Sequence, residues 1–116
     1  MNQINAKYTV KGNQLIIEDA VIPFDFPIAQ VIEVEGILIV RLEPPVTVIY
    51  NENVFGVSIA EKRVKWQIEK KKYSNEQCSF TYIRIFENEL ELINWCSIYF
   101  IVDPLTGNIL REGWSK

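Results

Sequence analysis

The chain has 116 residues, a net charge of −3 and no histidine. That length makes one domain, residues 1–116, with a core of modest size. The charge is too small to dictate a partner and weighs against a general nucleic-acid binder, which would be basic. Lack of histidine removes Ser–His and Cys–His nucleophile pairs, imidazole acid–base chemistry and histidine-containing metal sites. No cofactor is expected. Cys78 and Cys96 are far apart in sequence and lack C-x-x-C spacing, so two reduced thiols are expected, with Cys96 acting as a small buried hydrophobe. The start MNQINAKY has neither the basic residues nor the apolar run of a signal peptide. No segment offers the ~18 apolar residues that a membrane helix needs. A cytoplasmic protein that does not enter a membrane is the expectation.

Residues 7–18, KYTVKGNQLIIE, read as a hairpin turned at Gly12 and Asn13, residues that tolerate positive φ. Residues 22–28, IPFDFPI, hold two prolines and read as a connector whose Phe24 and Phe26 plug the core. From 30 to 35 apolar and acidic residues alternate, the period of a strand with one wet face. Residues 37–42, ILIVRL, are apolar at five of six positions, as expected of a central strand covered on both faces. Pro44 and Pro45 end that ladder, and VTVIYNEN is a long connection or a short extra strand.

Strands are expected at 55–58 and 64–68, the second placing Val64, Trp66 and Ile68 on one inward face. Residues 69–79 are polar and without period, an exposed linking loop. Strands then follow at 80–86, 90–95, 98–102 and 108–111, turned by ENE and by DPLTG. Trp114 is placed to seal the core.

Sliding the chain on itself aligns Phe55 with Phe100, Val57 with Val102, Ser58 with Asp103 and Val64 with Ile109 at one constant offset. A period of roughly 40–50 residues is that of a four-stranded blade. The fold class is therefore all-β: two four-stranded antiparallel meanders, about 30–68 and 80–111, in a sandwich or one strongly curved sheet, with the N-terminal hairpin completing or covering an edge. Core candidates are Ile32, Leu38, Val40, Phe55, Val57, Trp66, Ile83, Leu92, Phe100, Val102 and Ile109.

DPLTG followed by NIL, together with VSIAEKRVKW, resembles the repeat of quinoprotein-type propeller blades. There a strand ends in aspartate, turns through Thr-Gly and resumes toward a tryptophan. Trp66 holds that tryptophan position in the first copy and Arg111 in the second, and the first copy lacks the Asp and Gly. Two blades cannot close a ring and no quinone site is present, so the resemblance implies the blade-like meander and neither cofactor nor dehydrogenase activity. The whole chain is also similar to small uncharacterised bacterial proteins sharing NVFG…WQI and NW…DP-TG-I segments, with Ser97 where glycine is expected.

Four groups of residues invite a functional reading. Glu87, Glu89 and Glu91 alternate and would share a strand face; a solvated surface explains them better than a carboxylate pair acting on substrate. Lys62, Arg63, Lys65, Lys70, Lys71 and Lys72 could track phosphates with Trp66 or Tyr73 stacking on a base, yet an edge strand guarded by lysines accounts for the same residues once Trp66 points inward. Residues 50–53 carry oxygen-bearing groups without the spacing of a calcium loop, and read as a turn before a strand. With no nucleophile motif or phosphate-cradling loop, the protein is not expected to be an enzyme. The preferred reading is a non-catalytic protein-binding module, antidote-like or a homodimer, with contacts around Tyr50, Glu52 and Tyr73 on the two long connections; nucleic-acid binding through 62–72 is the alternative.

Overall fold

A computed structural model describes residues 7–71 and 77–114, and the backbone of 2–4. All regular structure among them is strand. The N-terminal sheet holds β1 (Asn2–Ile4), β2 (Thr9–Lys11), β3 (Gln14–Ile17) and β4 (Ala20–Pro23). The middle sheet holds β5 (Ile28–Val34), β6 (Ile37–Leu42), β7 (Val54–Ser58) and β8 (Arg63–Gln67). The C-terminal sheet holds β9 (Phe80–Phe86), β10 (Glu89–Asn94), β11 (Ile98–Val102) and β12 (Ile109–Trp114). Each is an antiparallel meander in chain order.

Both expected meanders are present. The N-terminal segment does more than complete an edge: the hairpin of β2 and β3 gains a strand on each side and becomes a third sheet. Part of the expected connector is thus β4, and it tolerates Pro23 because β4 is an edge strand and Pro23 its last residue.

Packing follows from the alternation of β6. Leu38, Val40 and Leu42 join Tyr8, Val10, Leu15 and Ile17 in a core against the N-terminal sheet. Ile37 and Ile39 join Ile83, Leu92, Phe100 and Val102 in a core against the C-terminal sheet. The middle sheet is therefore covered on both faces, and the core is two layers within a three-sheet stack. Each fully buried Leu or Ile contributes about 1.5–3 kcal/mol. Phe24 and Phe55 pack ring on ring at 5.0 Å in the first layer, and Phe80 and Phe100 edge to face at 5.5 Å in the second. Of the core candidates, Ile32, Phe55 and Ile109 are half-buried and pack at the margins.

Turn chemistry fixes the registers. Glu35 and Gly36 between β5 and β6, and Glu87 and Asn88 between β9 and β10, all have positive φ, as two-residue hairpin turns of matching twist require.

Trp66 is 7 % exposed, as its inward alternation demands. Its indole lies between Gly56 on β7 and Gly107 in the DPLTG turn; a Cβ at either glycine would overlap the ring. Its Nε1–H donates to the Pro104 carbonyl at 2.8 Å, tying the middle sheet to the C-terminal one. Val64 does not share that inward face. A register shift between Gly56 and Val57 breaks the alternation of β8 and leaves Val64 exposed. Trp114 does not seal the core either: β12 is an edge strand, and Trp114 is 75 % exposed.

The expectation of two free thiols is overturned. Cys78 and Cys96 form a disulfide with Cα atoms 5.3 Å apart, 18 residues apart in sequence. Asn94 positions one half, accepting from the N–H groups of Cys96 and Ile98 to hold the turn after β10. Asn51 positions the other by accepting from the Cys78 N–H at 3.0 Å. Neither arrangement can be read from spacing.

Candidate functional site

The open edge of β9 faces the edge of β5 across the joint between the middle and C-terminal sheets. Side-chain amides occupy much of that edge. Gln30 on β5 donates through Nε2 to the Ile83 carbonyl at 2.6 Å and accepts the Ile83 N–H through Oε1 at 3.0 Å. Asn53 does the same at Phe80, donating at 2.9 Å and accepting at 2.8 Å, with a second donation to the Leu42 carbonyl at 2.9 Å. Asn51 meets Cys78 just before the strand. Each amide takes the place that a peptide group of a neighbouring strand would hold, so the buried backbone of β9 is satisfied without another strand. Residues 51 and 53 are thus buried structural amides, not a simple turn.

Past Ile83 the two edges diverge and a cleft of about 600 Å³ opens. Its apolar lining comes from Val34, Ile85, Leu90, Val102 and Leu110. Four acidic residues line it: Glu33 and Glu35 from the β5–β6 hairpin, Glu89 from β10 and Asp103 from the turn after β11. Lys7 meets Glu33 at 2.8 Å, and Arg111 meets Glu89. Asp103 accepts the Leu105 N–H at 2.9 Å. Glu33 also helps raise the pKa of Tyr8, after the larger effect of burial.

The basic segment is largely spoken for. Lys62 meets Glu18 and lies 3.8 Å from Asp19, joining the middle sheet to the N-terminal one, and those contacts with Glu18 first and then Asp19 raise its pKa. Arg63 and Lys65 both bind Glu61, at 2.8 and 2.9 Å, and hydrogen bonds from Lys65 and then Arg63 hold the Glu61 carboxyl below its usual range. Lys71 meets Glu112 at 3.2 Å and lies 5.8 Å from the centre of the Phe100 ring. Lys70 is exposed. β8 is the outer edge of its sheet, where lysines guard against pairing with other chains.

The alternating glutamates are not a solvated row. Glu87 lies in the turn, while Glu91 is buried, paired with Arg84, whose guanidinium stacks over Phe86 at 4.4 Å. These groups and Arg111 close over Ile101 on the outer face of the C-terminal sheet.

Tyr50 packs on Phe26 at 5.1 Å, and its hydroxyl accepts from Gln67 at 3.3 Å. Burial, then the charge of Asp25, raises its pKa; the Gln67 bond opposes this and Glu52 adds to it. The Glu52 carbonyl also accepts from Gln67, so Tyr50 and Glu52 meet at the β8 edge. Lys72 and Tyr73 lie outside the described residues. The structure does not bring Tyr50 or Glu52 to the cleft. Sequence reasoning missed the cleft because it depends on how β5 and β9 diverge between sheets; the alternation of Glu33 and Glu35 was its one visible signal.

Residues 5–114 match the family described as Domain of unknown function (DUF7957). The chain belongs to that family. No curated protein matches. Among solved structures, the crystal structure of the computationally designed Ika8 protein is similar over 99 % of this chain, with a TM-score of 0.66 and 12 % identity. That likeness is one of fold. The chain spans 36 % of the designed protein's length.

Proposed function

We propose that the protein is a non-catalytic protein-binding module. The observation that carries this reading is the cleft between β5 and β9, where an apolar and acidic lining lies beside the open end of a strand edge. Exposed strand edges in native proteins are guarded, covered or docked. Lysines guard β8 and amides fill most of β9, so the stretch beside Ile85 is the part of the β9 edge left for a partner. Lack of histidine and of a nucleophile motif supports the non-enzymatic reading.

We read the three meanders as blade-like units in an open stack. The support is the Trp66 clamp on the DPLTG turn, with Arg111 replacing tryptophan on the terminal sheet and turning back to Glu89. Nucleic-acid binding through 62–72 has the ion pairs of Lys62, Arg63, Lys65 and Lys71 against it. A cytoplasmic location has the disulfide against it, because such bridges persist mainly in oxidising compartments.

Pull-down from native cells with mass spectrometry, beside light scattering on the purified chain, tests the binding role. Recovery of a specific partner is expected. A strictly monomeric protein that recovers none contradicts the proposal.

A further inference from the structure

We infer that the cleft takes an extended, basic segment of a partner protein as an added strand on β9. This rests on the protein-binding reading and names the chemistry of its occupant. The geometry comes from Ile83, whose N–H and C=O both turn away from β10 to meet Gln30. Ile83 opposite Leu92 is therefore a pair that exchanges no ladder bonds. The register runs unbroken to Ile85 opposite Leu90, two residues on, so that pair is of the same kind. The N–H and C=O of Ile85 thus point away from β10 toward the cleft, and no other described group bonds them. Gln30 already shows an amide seated on this edge, and Ile85 is the next place along it.

Charge selects the occupant. Glu33, Glu35, Glu89 and Asp103 line the space and no described lysine or arginine does, while the Glu33 and Glu89 carboxylates turn to Lys7 and Arg111 on the faces away from it. Alternate side chains of an extended segment lie on one side, roughly 7 Å apart. Lysines or arginines at the positions turned toward the middle sheet face Glu35 on the β5–β6 hairpin, on the same side of the C-terminal sheet as the Ile85 side chain. A second copy of this chain docking edge to edge through β9 would bring the same carboxylates together, which disfavours self-pairing here.

The test uses the whole protein and acetylated heptapeptide amides: Lys-Val-Lys-Thr-Lys-Val-Lys, the same peptide with glutamate for lysine, and the lysine peptide N-methylated at its central residue. Binding and the Ile85 amide are followed by NMR. Expected are binding of the lysine peptide alone, slowing of Ile85 exchange by about tenfold or more, and about tenfold weaker binding in Glu35→Lys. Ile85→Pro should abolish binding while keeping the strand spectrum in circular dichroism, since that N–H serves no bond to β10. Equal binding of the glutamate peptide, unaltered binding after N-methylation, or binding without protection of Ile85 overturns the inference. If pull-down recovers a partner that contacts another surface, the binding role stands and this occupant falls; if neither partner nor peptide binds, both fall.

Discussion

The indole N–H of Trp66 donates to the carbonyl of Pro104, 38 residues later, and so fastens the middle sheet to the C-terminal one. The ring fits because Gly56 and Gly107 leave room on its two sides, and Gly107 has a φ of +78° that a side chain would resist. Trp66→Phe should keep most of the packing and lose the hydrogen bond, at about 1 kcal/mol. Trp66→Ala should cost about 3–5 kcal/mol. Urea denaturation measures both, and a Trp66→Phe variant as stable as the parent would show that the bond to Pro104 contributes nothing.

Asn53 is fully buried, and one side chain serves three backbone groups from two sheets. Asn53→Leu preserves approximate volume but strands the Phe80 N–H and C=O and the Leu42 C=O. At about 1–3 kcal/mol for each buried group left unpaired, this should be among the most damaging single changes. Gln30→Leu, at the half-buried counterpart, should cost less. Denaturation midpoints of the two variants check the order.

Reducing the Cys78–Cys96 bridge frees a loop closed over 18 residues, which should cost about 3 kcal/mol. Denaturation with and without reductant reads this directly. Alkylation of the thiols in fresh lysate shows which form the cell holds.

Glu61 gives a pH signature. Its pKa is held below the unfolded value by hydrogen bonds from Lys65 and Arg63. The stability it contributes is therefore complete above the ordinary carboxylate value of 4.5 and is lost as pH falls through the folded value. Glu61 is an exposed group, so the effect is small. Glu61→Gln should lower the denaturation midpoint at pH 7 more than at pH 3; a gap that widens at low pH contradicts the assignment.

Much of this fold is legible in the chain because strand periodicity is a local property. ILIVRL announces a doubly buried strand, and β6 is one; the alternation around Trp66 points it inward, and it is. What stayed hidden depends on contacts between sheets. Asn51, Asn53 and Gln30 look like ordinary surface polar residues until β9 is laid beside them. The two cysteines meet where Asn94 and Asn51 hold their flanking backbones, and Val64 turns outward because of a register shift. The cleft was the least legible feature, since Glu33 and Glu35 come from one sheet and Glu89 and Asp103 from another.

The central claim is that a partner docks beside Ile85. It is tested most directly by photocrosslinking in native cells, with a photoreactive side chain placed at Ile85 on the β9 edge or at Gln14 on the far sheet. Capture of one specific protein from Ile85 and not from Gln14 is the result expected. No product from Ile85, or the same products from both positions, would contradict the claim.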